Sequence, residues 1–261
     1  MAITTEATLN AAFPGQEREF TKANLTSAST AYVSLWASVG NPAAGSFSIG
    51  NTTTGVIPTA ATAGAFPFAN PASGNTYLAR IKAATQNAGS LIFYDRLQHS
   101  GSYTSSNGNI NTTDMTAVDR DSTGAAVEVW CEINSALSAV ATTITITYTD
   151  QDGNTGATGT CVLPASAIAA RMFPFVLATG DSGIRSIENV AGSAAPTGTF
   201  NIVMLRVLAA VPIDAAGRIF QYDWASIGMP RVLDNACIAM MMQTSAGSTG
   251  IISGSINLIQ G

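Results

Sequence analysis

The stretch that decides the fold class is ATTITITYTDQDGNTGATGTCVL, residues 141–163. Ile144, Ile146 and Tyr148 alternate with Thr143, Thr145, Thr147 and Thr149. That period of two places successive side chains on opposite faces of a half-buried strand. Asp150-Gln151-Asp152-Gly153-Asn154 interrupts the pattern, and small residues then resume it as far as Leu163. A calcium loop opening at Asp150 would need Gly at its sixth position and a bidentate Glu at its twelfth. Those places hold Thr155 and Cys161. Asp, Gly and Asn tolerate the backbone of a tight turn, so the segment predicts two strands joined by a hairpin bend, with no metal bound there.

The same period extends outward in both directions. In AAVEVWCEINS (125–135), Val127, Val129, Cys131 and Ile133 share one face, and Glu128, Trp130 and Glu132 are expected on an outer one. In TYLARIKAATQ (76–86), Tyr77, Ala79, Ile81 and Ala83 fall on one face, with Leu78, Arg80 and Lys82 on the other. This strand pairs with GSLIFYDRLQHSG (89–101) around Asn87-Ala88-Gly89. Residues 41–75, rich in Gly, Pro, Thr and Ala, show little periodicity and predict a long surface excursion. Further short apolar runs follow to the C-terminus, punctuated by Gly, Ser and Pro. Roughly ten to twelve strands with almost no amphipathic helix predict an all-β protein, a β-sandwich of jelly-roll type with long loops.

Residues 1–30 read differently. PGQEREFTKANL (Pro14 to Leu25) combines dense charge with helix-favouring residues, which suits one or two helical turns, an extended arm, or a disordered tail. The expected organisation is an N-terminal arm over 1–30 and a β-sandwich domain over 31–261. Phe13 and Phe20 are the arm's apolar anchors and Arg18 and Lys22 its charged contacts, which makes these four the expected interaction residues.

Composition narrows the functional classes. Of 261 residues, 46% are hydrophobic and only 10% charged, against about 25% charged in ordinary soluble domains. Such a hydroxyl-rich exterior lacks the like-charge repulsion that keeps monomers apart. Net charge is −5 and no basic run occurs, which disfavours direct nucleic-acid binding. Arginines number nine against two lysines, Lys22 and Lys82, a bias that suits interfaces. The N-terminus has no secretory pattern, and FNIVMLRVLAAVPI (200–213) is too short for a bilayer span and carries Arg206, so no membrane partner is expected.

Chemistry is sparse. His99 is the single histidine, so any Ser-His-Asp or Cys-His scheme must use it, and a capping or exposed role at a strand end is expected. Cys131, Cys161 and Cys237 lack metal-ligand spacing and read as structural thiols, with their odd number leaving an intermolecular bridge open. The acidic loop TDMTAVDRDSTG, with Asp114, Asp119 and Asp121, reads as a solvated turn partly neutralised by Arg120. GNTGATG (153–159) has glycine spacing but no following helix to meet a phosphate. No catalytic, cofactor or metal residues are expected.

The segments GNTYLARIKAATQNAGSLIFYDRLQHSG, VEVWCEINSALSAVATTITITYTDQDGNTG and ARMFPFVLATGDSGIRSIENV resemble a family of tailed-bacteriophage virion proteins, over about Trp36 to Val211. YLARI, LIFYDRL, ITYTDQDG and LATGDSGIRSI are the most specific parts. The resemblance implies a structural component made in the host cytoplasm and carried on the capsid exterior. It implies a cement or decoration subunit, a homotrimer bound to the major capsid protein. A tail, collar or baseplate component, with a carbohydrate-binding face, is the alternative, and an extracellular β-sandwich hydrolase a third reading. The family offers no functional-residue motif to carry over.

Overall fold

The computed structural model describes residues 5–12, 16–115 and 119–261. In chain order the elements are α1 (Glu6–Ala12), β1 (Gln16–Lys22), β2 (Tyr32–Ser34), β3 (Gly40–Asn41), β4 (Asn51–Val56), β5 (Thr76–Thr85), β6 (Gly89–Tyr103) and β7 (Gly108–Met115). A 3-10 turn (Asp119–Asp121) precedes β8 (Glu128–Ser135), β9 (Thr142–Asp150), β10 (Ala157–Leu163), β11 (Arg171–Pro174), β12 (Ile184–Gly192) and β13 (Thr199–Ile213). The chain ends with β14 (Ile219–Asp223), α2 (Trp224–Ile227), β15 (Arg231–Val232), β16 (Ile238–Thr244) and β17 (Ile252–Gln260). The protein is therefore all-β. No helix among the described residues is long and apolar enough to cross a membrane.

The hairpin read from residues 141–163 is present. β9 and β10 pair antiparallel from Ala157↔Tyr148 to Leu163↔Thr142. Ile144, Ile146 and Tyr148 are buried, while the four threonines between them are half-buried. The Asp150 carboxylate organises the bend: one oxygen accepts from the Asp152 and Asn154 amides, both at 2.8 Å, and the other from Asn154 Nδ2 at 2.8 Å. These bonds, led by the Asn154 side chain, lower its pKa. Gly153 takes φ +89° in the turn, a conformation that side chains resist.

The chain divides into two compact units, one of Met1–Gly45, Thr59–Asp95 and Leu208–Gly261, the other of Ser46–Pro58 and Arg96–Val207. In the first unit, a sheet of order β14-β5-β17-β1-β3, with β15 also on β5, shares a core with β16 and the strands beside it. Phe20, Phe66 and Phe93 meet there, Phe20 edge-on to the other two at 5.7 and 5.9 Å. In the second, the sheet β10-β9-β12-β7 shares a core with β8 and β13, built on Val129, Cys131, Ile133, Ile146, Phe200 and Ile202.

Three expectations differ from this architecture. The 1–30 arm and single 31–261 domain are replaced by β1 inside the first unit's sheet, paired with β17 from Gln16↔Leu258 to Lys22↔Ile252. Local pattern does not reveal a pairing between the two ends of the chain. The alternation assigned to TYLARIKAATQ holds only in part. Opposite the step from Asn257 to Leu258, β5 carries Ala79 as an extra residue, and such a bulge flips the phase of the strand. Leu78 thereby joins Ile81 and Ala83 in the core, while Ala79 packs under Leu9 of α1. Finally, Glu132 and Trp130 are not outside: β8 is buried from Val129 to Ile133, because it is covered on both faces.

Candidate functional site

The densest polar arrangement in the second unit surrounds that inward Glu132. Its carboxylate receives both terminal nitrogens of Arg96, NH1 to Oε1 at 3.0 Å and NH2 to Oε2 at 2.6 Å, and both side chains are 0% exposed. The third guanidinium nitrogen of Arg96, Nε, donates to Nδ1 of His99 at 2.7 Å. His99 is 4% exposed, and burial followed by the Arg96 charge pushes its pKa down to about 2. Asn201 Nδ2 donates to the Phe47 carbonyl at 2.9 Å beside the same carboxylate. Arg120 reaches inward, to the carbonyls of Pro58 at 3.0 Å and Arg96 at 2.8 Å.

Neutral His99 accepts from a permanent cation, and Glu132 is held in a bidentate fork. This geometry fixes β6 against β8 and leaves the histidine a poor proton carrier. The exposed or capping role expected for His99 is corrected accordingly. Arg120 donates to main-chain carbonyls, and its expected neutralising of Asp114 and Asp119 falls on side chains outside the described residues. Asp121 is met by Arg206 at 3.3 Å.

Phe13 also lies outside the described residues. Arg18 is half-buried on β1, its guanidinium donating to the Pro67 and Glu17 carbonyls and to Gln16 Oε1. Phe20 and Lys22 are each 1% exposed. The alternation of β1 turns both inward, which withdraws them from the interface role expected for them. Lys22 Nζ donates to the Ser38 and Pro42 carbonyls at 3.1 and 2.7 Å, and burial lowers its pKa to about 8. Because the unfolded chain holds this proton more tightly, stability should rise by about 2 kcal/mol between pH 8 and pH 10. Urea unfolding at the two pH values should show the rise, and Lys22→Met should flatten it.

The three thiols are all buried. Cys131 and Cys161 touch across the second unit's core, and burial raises the Cys131 pKa far above its usual value. A bridge between molecules through any of the three would require buried structure to open. Among the described residues, no group of three or more His, Cys, Asp or Glu could hold a metal ion.

Two surface features of the second unit bear on function. A hollow of about 230 Å³ in the second unit is lined by Glu128, Phe175, Leu177 and Asp181 among others. Glu128 accepts from Trp130 Nε1 at 2.8 Å, and Asp181 from the Tyr148 hydroxyl, whose pKa burial and that bond push up to about 12. The second feature is the outward face of the β9–β10 hairpin. Strand register sets Thr147 beside Thr158, Thr145 beside Thr160 and Thr143 beside Val162. Val176, bridged to Thr160, extends the row. Val162 is 65% exposed and Val176 71%. Pattern alone predicted the threonine face; the valines needed the pairing of residue 176, which lies outside any alternating run.

No protein-family model and no curated protein sequence matches the chain. Similar solved structures include the VP2 subviral particle of infectious bursal disease virus, at 11% identity over 94% of this chain and 80% of that one, with a TM-score of 0.21. Infectious bursal disease virus of strain Gt gives 11% identity over 94% and 81%, with a TM-score of 0.20. Superpositions this loose carry no argument about role.

Proposed function

We propose that the protein is a non-enzymatic structural component of a virion, a cement subunit on the outside of a tailed-bacteriophage head that assembles as a homotrimer and binds the major capsid protein. The observation that carries the proposal is the uncharged threonine–valine face of β9 and β10, with Val162 and Val176 standing out from it. Exposed β-branched residues on a rigid sheet lose little entropy on contact. The threonine–valine row itself carries no charge, which lowers the desolvation penalty that ionic faces meet. Sparse charge over the whole chain and the sequence resemblance point the same way. In this proposal the protein is a β-sandwich of jelly-roll type, an architecture used in capsid and lectin domains, and stabilisation comes from area buried over many symmetric copies.

The alternative, a tail, collar or baseplate component, is favoured by one observation, the hollow bearing Glu128 and Asp181, where paired acceptors could hold sugar hydroxyls. Purified protein added to heads lacking it should bind saturably, and cryo-electron microscopy should place it on the shell. Val162→Asp combined with Val176→Asp should abolish attachment while the thermal transition stays in place. Density on the tail, or undiminished attachment of the double variant, would overturn the cement reading.

A further inference from the structure

Trp36 and Trp130 are buried, whereas Trp224 is 43% exposed and Ile219 on the preceding strand is 77% exposed. Ile219 opens the edge strand of the first unit's sheet, and Trp224 begins the helix that follows it. β14 has a single hydrogen-bonded neighbour, β5, in register from Ile219↔Ala84 to Asp223↔Arg80. An edge strand presents a row of main-chain donors and acceptors that an extended segment of another chain can satisfy. Along β14, Ile219, Gln221 and Asp223 face solvent, while Phe220 and Tyr222 pack against the core.

We propose that β14 is a homotypic docking edge: two copies of this chain pair their β14 strands antiparallel about a two-fold axis at Gln221, joining two sheets into one. Centring the axis on Gln221 is what pairs all five residues of the strand. Phe220 then lies opposite the partner's Tyr222, an aromatic cross-strand pair. Gln221 meets the partner's Gln221, where each amide donates and accepts. Antiparallel pairing suits either alternate set of outward main-chain groups, because directly opposite residues exchange both bonds or neither.

Charge selects a second copy as the occupant. The strand is basic before its start, at Arg218, and acidic at its end, at Asp223. Antiparallel pairing brings each copy's basic end towards the other's acidic end. A parallel arrangement would set like charges together. Such an isologous contact closes on itself as a dimer. It is independent of the cement proposal, and neither stands or falls with the other.

The test is sedimentation velocity on the full chain at tens of micromolar. Wild type should run at an even multiple of the 26.7 kDa monomer mass, two copies through this edge alone and six where it joins trimers. Gln221 faces solvent beside Lys82 in its own sheet, so Gln221→Glu leaves the fold intact. It places two carboxylates at the axis and should weaken the dimer by about tenfold or more. Gln221→Lys should do the same. Mixing the two variants should restore the dimer, since opposite charges then meet at the axis. Circular dichroism checks that each variant is folded. A wild-type monomer, an oligomer indifferent to Gln221→Glu, or no recovery on mixing would overturn the proposal.

Discussion

Truncating Glu132 to Ala is expected to remove about 3–5 kcal/mol of stability. Arg96 is 0% exposed and its two terminal nitrogens sit 3.0 and 2.6 Å from the carboxylate. Without that carboxylate, a guanidinium that cannot lose its proton remains in a site that water does not reach. Arg96→Met should be comparably damaging, because it leaves the carboxylate buried without its counter-charge. Exchanging both residues, Arg96→Met with Glu132→Leu, should recover most of the loss, since desolvating two ions offsets much of their attraction. Urea unfolding followed by circular dichroism measures all three. If each single substitution moved stability by less than about 1 kcal/mol, the pair would behave as an exposed bridge and its structural role would fail.

Acid should destabilise the protein through His99. Its pKa in the fold is about 2, against an ordinary value of 6.5, with burial the main cause and Arg96 the second. Below pH 6.5 the unfolded chain takes up a proton that the folded chain refuses. Stability contributed by the neutral ring is therefore complete above that pH and declines steadily beneath it, by about 3 kcal/mol at pH 4. The ring cannot protonate in place, since Nδ1 already accepts from Arg96 and a second cation would face the first. His99→Gln keeps an acceptor for Arg96 Nε and should remove this part of the acid slope. Equilibrium unfolding at several values between pH 4 and pH 7 should give a steeper fall for wild type than for the variant. Parallel slopes would show that His99 titrates in the folded state.

Much of the second unit is legible in the sequence. The Ile and Thr alternation of β9, the Asp-Gly-Asn bend and the inward set Val127, Val129, Cys131 and Ile133 all stand in the structure as read. Each rests on local chemistry, the period of a strand and the dihedral freedom of a few turn residues. The errors share a different cause. Glu132 was placed outside because carboxylates avoid burial, and only the arrival of Arg96 from another strand reverses that preference. Leu78 was placed on the wrong face because a bulge leaves no mark in the composition of its own strand. Phe20 and Lys22 look like an arm's contacts because what buries them lies elsewhere in the chain, Phe66 and Phe93 beside Phe20 and the Ser38 and Pro42 carbonyls at Lys22.

Sequence by itself therefore determined that this is an all-β chain, where one decisive hairpin turns, and that its exterior is nearly uncharged. Those properties follow from neighbours a few residues apart. Only the tertiary structure decided that there are two cores, that β1 closes against β17, that Arg96 and His99 surround a buried carboxylate, and that Ile219 and Trp224 flank a free sheet edge. The physical reason is distance along the chain. Burial, ion pairing and strand adjacency depend on residues tens to hundreds of positions apart, whose meeting no local period encodes.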